Sequence, residues 1–320
     1  MAIGWLFPGQ GAQKVGMGRD VHQLSAAARA VFEQADEALG MALSRLCFEG
    51  PMAALTRTEN TQPALVTTSL AYLAAARERY PELSEPACAA GHSLGEYSAL
   101  CAAGALSLAD AVRVARARGR AMQAAVAPGV GAMAAIIGQD DATLAGYCAD
   151  VAGPGAVVAA ANYNSPGQTV IAGHAAAVAA VVERVRGAGG KAIPLKVSAP
   201  FHCALMAPAV APLELAFAAA RFCEPRFAVL ANVDASPRSD AAAVQQALLQ
   251  QVDHPVQWVR TIEKMRQLGV TGALEFGPGR VLSGLCKRID RELTVVSINS
   301  VAALDKLEAF LAQPAAPQSH

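Results

Sequence analysis

The chain carries no charge excess of either sign, because its 26 Lys and Arg are matched by 26 Asp and Glu. A protein that grips nucleic acid by its phosphates needs a basic face, so bulk charge gives that class no support. Charged residues are scarce at 16% and aromatics at 5%, against 53% hydrophobic residues. That balance excludes intrinsic disorder and supplies enough apolar side chain for a sizeable core. The chain also lacks an uninterrupted apolar run of about 18 residues, the length of a membrane helix. The longest stretch, Ala124 to Gly138, is broken by Pro128, Gly129 and Gly131. The first residues lack the basic region of a signal peptide and turn polar by Gln10. The seven cysteines have neither CxxC nor CxxxC spacing, which argues against a zinc site or a disulfide framework. We therefore expect reduced cysteines, no metal and a cytoplasmic protein with no membrane or nucleic-acid partner. Phosphate-cradling loops are missing as well. Gly9-Gln10-Gly11 would need glycine where Lys14 stands, and the Gly11-to-Gly16 spacing meets Met17 where lysine is required.

What is present is an alternation of strands and helices. Apolar spacing and breakers predict strands at Ala2 to Phe7, Pro86 to Gly91, Phe227 to Ala231, Ala273 to Phe276 and Leu293 to Ile298. Helices are predicted at Ala26 to Leu39, Pro63 to Arg77, Leu94 to Ala103, Asp110 to Val126, Ala241 to Val252 and Thr261 to Leu268. Such an order argues for an α/β fold with a mainly parallel sheet covered on both faces. Residues 128–198 read differently. Strands at Gly131 to Ile137, Val157 to Asn162, Thr169 to Ala172 and Ala192 to Val197 enclose helices at Asp140 to Val151 and Ala175 to Ala188. That is βαββαβ, the ferredoxin-like order, inserted as a small domain into a larger one made of residues 1–127 and 199–320. The Pro- and Ala-rich tail, Gln313 to His320, is expected to fray.

Gly91-His92-Ser93-Leu94-Gly95 matches G-x-S-x-G between a predicted strand and a predicted helix, the context of a nucleophile elbow. The turn is so tight that its neighbours must be tiny, and it lifts the Ser93 hydroxyl into a cleft. The following helix aims its N-terminus at the same place, so the Leu94 N–H can steady an oxyanion. A serine nucleophile needs a base. His92 is adjacent to Ser93 and would project away from it; His22 and His174 are expected at helix edges on the surface, and His320 is terminal. His202 and His254 remain, His202 where the inserted unit rejoins the main chain. Either would give an acid limb near an ordinary histidine pKa of about 6.5.

Motifs along nearly the whole chain resemble the malonyl-coenzyme A:acyl carrier protein transacylases of bacterial fatty acid synthesis. They run from Phe7-Pro8-Gly9-Gln10-Gly11-Ala12-Gln13 through Thr61-Gln62-Pro63-Ala64, Gly91 to Ala99 and Arg118-Gly119-Arg120-Ala121-Met122. Asn162-Tyr163-Asn164-Ser165-Pro166-Gly167-Gln168, Pro255-Val256-Gln257-Trp258 and Gly277-Pro278-Gly279 continue the series. The resemblance implies an α/β-hydrolase-like core. It implies Ser93 as nucleophile, His202 as its base, Arg118 on the malonyl carboxylate, and Gln10 beside Leu94 in the oxyanion hole. It further implies that Gln251 lines the site and orients His202 through its backbone carbonyl, so no catalytic Asp is expected. The reaction implied is malonyl transfer from malonyl-coenzyme A to acyl carrier protein through a malonyl-serine, with no cofactor beyond the thioester substrate, by a monomer. Phe201, before the histidine, resembles malonyl-selective polyketide acyltransferases; its ring leaves little room for a branched acyl group. A polyketide acyltransferase acting in trans and an α/β serine hydrolase are the competing readings, with a non-catalytic carrier-binding module as a third.

Overall fold

The N-terminal strand is buried on both faces, and its side chains alternate between two cores. In β1 (Ala2–Phe7), Trp5 and Phe7 enter one cluster while Leu6 enters the other. A strand placed so must lie inside a sheet with layers above and below. The computed structural model describes residues 2–311 and bears this out. The further strands are β2 (Cys88–Gly91), β3 (Gly131–Ile137), β4 (Val158–Ser165), β5 (Gln168–His174) and β6 (Lys191–Pro194). They continue as β7 (Ala228–Leu230), β8 (Pro237–Arg238), β9 (Val270–Phe276) and β10 (Thr294–Ile298). The larger sheet has the order β10-β9-β1-β2-β7-β8, with every pairing parallel except β7 with β8. A separate antiparallel sheet has the order β4-β5-β3-β6. The helices Asp141–Val151 and Ala175–Gly187 supply its own apolar cluster with Leu144, Val178 and Val181. The loop before the helix Trp258–Gln267 bonds to β4 of this sheet: Tyr163 N–H donates to the Val256 carbonyl and Val256 N–H to the Ala161 carbonyl, both at 2.9 Å.

Several predicted elements shift at their ends. The helix read from Pro63 spans Thr58–Arg79, with Pro63 inside it. Proline near a helix start costs one intrahelical bond and keeps a helical φ, and this helix is buried almost all round. Pro194 closes β6 three residues before the expected end. The helices Leu43–Glu49, Val210–Ala218, Val281–Ile289 and Val301–Leu311 have no counterpart in the sequence reading. Val281–Ile289 is capped from the preceding strand: the buried carboxylate of Glu275 accepts from Leu282 N–H and Ser283 N–H, each at 3.0 Å. All seven cysteines are free. No helix among the described residues is long and apolar enough to cross a membrane. The tail, Gln313 to His320, lies outside the described residues.

The fold holds the elbow by close backbone approach. A Cβ on Gly91 would stand 1.8 Å from the Gly95 carbonyl carbon, and one on Gly95 would stand 2.0 Å from the Phe7 oxygen. Two glycines thus let β2 reverse into the helix Gly95–Ala102 directly beneath the end of β1. Gly91→Ala should cost about 4 kcal/mol or more, because backbone and not a flexible side chain must give way. Urea unfolding measures this, and a loss under about 1 kcal/mol would show the elbow to be slack.

Candidate active site

The elbow puts Ser93 in the left-handed region, at φ 51°. His202 has φ 61°, and Ala235 is the other non-glycine residue so placed among the described residues. Such conformations are disfavoured for L-residues and persist only where the surroundings fix them. Here the two strained residues face each other. Ser93 Oγ lies 2.7 Å from His202 Nε2, and His202 Nδ1 lies 2.8 Å from the Gln251 carbonyl oxygen. A carbonyl can only accept, so Nδ1 carries the ring proton and Nε2 is left free to take one from Ser93. His254, the competing base, is exposed and bound to Asp253 and to the Gln250 carbonyl. His92 is pinned elsewhere, its Nε2 2.8 Å from Asn164 Oδ1 and its ring against Trp258.

Two surface expectations fail. His22 is half-buried between Phe32 and Phe48, at 5.7 and 5.0 Å between ring centres. His174 is half-buried too, its Nδ1 accepting the Val157 N–H at 2.9 Å. Apolar contact and a backbone donor, neither visible in a helix-edge position, account for both.

A cavity of about 110 Å³ opens on Ser93 and His202, lined also by Gln10, Leu94, Arg118 and Phe201. Neither the Gln10 nor the Leu94 main-chain N–H meets an acceptor among the described residues. Both residues border the cavity beside Ser93, as a pair of oxyanion donors must. Met122, Met133, Leu195 and Val197 complete an apolar wall with Phe201. Gln251 stands behind this wall and not on it: fully buried, it contacts Ser93, His202 and Arg118 from the protein side.

Arg118 projects from the helix Leu108–Ala124 and is 1% exposed. Its Nη2 donates to Gln251 Oε1 at 2.8 Å and reaches Ser93 Oγ at 3.3 Å, while its Nε has no acceptor. The guanidinium sits 5.6 Å from the Tyr97 ring centre. Among the described residues it makes no salt bridge. This is a buried cation with neutral acceptors only.

Sequence reasoning missed a polar layer below the elbow. Asn232 Oδ1 accepts the Ser93 N–H at 2.6 Å, and its Nδ2 donates to the Gly91 carbonyl at 2.7 Å. Glu96 and Asn162 belong to the quoted motifs, yet nothing in their spacing gave them a partner. Asn162 borders the cavity from the second sheet. Among the described residues no cluster of three His, Cys, Asp or Glu side chains could hold a metal ion.

The acyl transferase domain family matches residues 4–288. The chain is 45% identical over 307 residues to the malonyl CoA-acyl carrier protein transacylase of Haemophilus influenzae, covering 96% of this chain and 98% of that one. The crystal structure of an acyl carrier protein S-malonyltransferase from Vibrio cholerae is 43% identical, with a TM-score of 0.92 over 96% of this chain and all of its own. A malonyl-transacylase bound to its type II polyketide acyl carrier protein is 41% identical, with a TM-score of 0.91 over 96% of this chain and 98% of that one.

Burial, and then the neighbouring Arg118 charge, push the His202 imidazole down to about 3, while its bond to the Gln251 carbonyl opposes them. The acid limb expected near 6.5 is therefore displaced. With a neutral ester probe such as p-nitrophenyl acetate, attack by Ser93 should stay level from pH 8 to about pH 5 and fall only below. Arg118→Ala should move that limb upward. The unfolded chain takes a proton on this histidine near 6.5 and the folded chain does not. Stability from this group is thus intact above about 6.5 and is lost as pH falls toward about 3. A wild-type limb at 6.5 would show His202 to be solvated.

Proposed function

Because the chain belongs to the acyl transferase domain family and sits among its malonyl-coenzyme A:acyl carrier protein transacylases, we propose that Ser93 carries malonyl from coenzyme A to acyl carrier protein. The activity is [acyl carrier protein] S-malonyltransferase, and malonyl-coenzyme A and acyl carrier protein are its partners. His202 Nε2 removes the Ser93 proton as Oγ attacks the thioester carbonyl, and the Leu94 and Gln10 N–H groups receive the oxyanion. The tetrahedral adduct collapses, the C–S bond breaks, and His202 gives its proton to the departing sulfur, so coenzyme A leaves as the thiol and the base is neutral again. The carrier's phosphopantetheine thiol then gives its proton to His202 and attacks malonyl-Ser93; the acyl C–O bond breaks and His202 returns the proton to Ser93 Oγ, which regenerates the free serine. One site serves both halves, so the kinetics are ping-pong.

Arg118 carries the reading of the acyl group. A cation 1% exposed, without an acidic partner in contact, is costly until an anion arrives. The distal carboxylate of a malonyl group supplies one, and a planar guanidinium grips it in two places. Phe201 narrows the same cavity against a branch at the acyl carbon. We read the larger sheet as an α/β-hydrolase-like core built from residues 1–127 and 199–320. The 128–198 unit, whose strand order β4-β5-β3-β6 is that of ferredoxin-like folds, forms the small domain. The dyad and oxyanion donors need no cofactor for this chemistry. The reduced cysteines suit a cytoplasmic enzyme. Phe201 and the likeness to a polyketide transacylase support a second reading, in which the carrier serves polyketide synthesis.

Intact-mass measurement after mixing with malonyl-coenzyme A should show one malonyl adduct, absent in a folded Ser93→Ala variant. An adduct that persists in that variant would place the nucleophile elsewhere. Arg118→Ala should lose about 3–5 kcal/mol on malonyl transfer, the cost of unpairing a buried charge. At about 1.4 kcal/mol per decade that is on the order of 10²–10³-fold in kcat/KM. Acetyl transfer should change little or rise, so the selectivity inverts. An equal fall for both substrates would make Arg118 structural.

A further inference from the structure

Behind the elbow a fully buried chain of polar groups takes no direct part in the transfer steps. Glu96 is 2% exposed on the helix that follows Ser93. Its Oε2 accepts the Asn232 main-chain N–H at 3.0 Å and Gln251 Nε2 at 2.8 Å. The same Nε2 donates to the Ser93 carbonyl at 2.9 Å, and Gln251 Oε1 accepts from Arg118 at 2.8 Å. Its main-chain carbonyl holds His202. Gln251 therefore touches the nucleophile, the base and the cation at once.

A side-chain amide can face its neighbours either way round, and Glu96 decides which. An ionised carboxylate only accepts, so it draws Nε2 and leaves Oε1 toward Arg118. Turned over, the amide would set N–H against the guanidinium N–H groups and oxygen against carboxylate oxygen. Arg118 would then lose its side-chain acceptor on Gln251 in a site where an unmade bond to a charge is expensive.

We propose that Glu96 is a positioning residue for the acyl carboxylate, acting through the Gln251 side chain to hold the Arg118 guanidinium where the acyl group must meet it. This rests on the reading of Arg118 given above. Nothing in the role requires Glu96 to touch substrate. Burial outweighs the bonds from Asn232 and Gln251 and the Arg118 charge, and leaves the carboxyl raised to about 7; the role rests on geometry, because Oε2 accepts both N–H groups and a neutral acid's carbonyl oxygen accepts them as well.

The test compares kcat/KM for malonyl- and acetyl-coenzyme A in variants whose fold is checked by thermal unfolding. Glu96→Ala should lower malonyl transfer about 10–100-fold, the scale of a lost bond to a charged group, and acetyl transfer less than about threefold. Glu96→Gln, whose carbonyl can accept both N–H groups, should stay within about threefold of wild type. In the Arg118→Ala background, Glu96→Ala should leave the malonyl-to-acetyl ratio where Arg118→Ala put it. An equal fall for both substrates in folded Glu96→Ala overturns the proposal. So does a selectivity loss that persists in the Arg118→Ala background, or a Glu96→Gln enzyme as slow as Glu96→Ala. Should Glu96→Ala not fold, the similarly sized Glu96→Met decides, because it fills the same space and removes only the acceptor that Gln251 Nε2 meets. A malonyl-selective loss there supports the proposal, and an equal loss refutes it. If Arg118→Ala alone leaves the ratio unchanged, the carboxylate reading itself fails. If it inverts the ratio and Glu96→Ala does not, only the role of Glu96 falls.

Discussion

Taking a guanidinium out of water costs several kcal/mol unless an anion and well-placed acceptors compensate it. Arg118 has a neutral amide oxygen and the Tyr97 ring face, and the carboxylate of Glu96 lies one hydrogen bond further off through Gln251. The compensation is partial, and under the proposed function a malonyl group brings the missing part. The same charge acts on the base. Beside His202 it opposes protonation of the imidazole, so the resting enzyme keeps its base neutral. A carboxylate seated on Arg118 cancels much of that repulsion. The imidazolium that forms during attack is then less disfavoured with the proper substrate in place than without it. In this reading one buried cation both selects the acyl group and couples its arrival to the strength of the base.

That coupling would mean less if His202 leaned on a carboxylate, as in a Ser-His-Asp arrangement, where a fixed anion already stabilises the imidazolium. Here the Gln251 carbonyl fixes the tautomer without supplying a charge. The leaving group makes this sufficient. A thiolate with a parent thiol near 8.5 departs far more readily than an amine, so the dyad needs no strongly basic histidine to drive the second proton transfer. The incoming phosphopantetheine thiol, acidic by comparison with water, is correspondingly easy to activate. A base held weak therefore discriminates between thiol and water as acceptors, which suits transfer over hydrolysis.

The parts of this site legible in the sequence were the local ones. Gly91, Ser93, Leu94 and Gly95 lie in one turn, and the need for tiny residues there is a steric statement about five neighbours. Helix Ala26–Leu39 and strand β3 fell where periodicity and Gly breakers put them. His202 and Arg118 were different. Spacing alone left His202 level with His254 and made Arg118 one of four arginines on a helix; only resemblance to a family singled them out. Asn232 was not legible at all, because its bonds to Ser93 and Gly91 cross 139 and 141 positions. Helix Val281–Ile289 was missed for a different reason: its first N–H groups are met by Glu275, seven and eight residues back on β9, and not by a residue at the cap position. Hydrogen bonds between distant segments leave no periodicity behind.

The cavity itself belongs to neither sheet. Met133 and Asn162 come from the antiparallel sheet, and Leu195 and Val197 from the chain returning from it. Ser93, Leu94 and Gln10 lie at the ends of strands or in the loops of the parallel sheet. Backbone bonds at Val256 and a contact of 2.9 Å between Thr58 and Ser198 fix the seam at two places. The charged and nucleophilic groups are thus held by the parallel sheet and its helices, where long-range polar bonds leave little play. The apolar wall that meets the acyl chain comes largely from the other side. A small shift of one sheet against the other would change the room beside Phe201 while leaving Ser93, His202 and Arg118 in register. Phe201 is tied to His202 by the chain, but Met133, Leu195 and Val197 rest on a different support from Arg118, so this part of the acyl wall is set apart from the charged and nucleophilic groups.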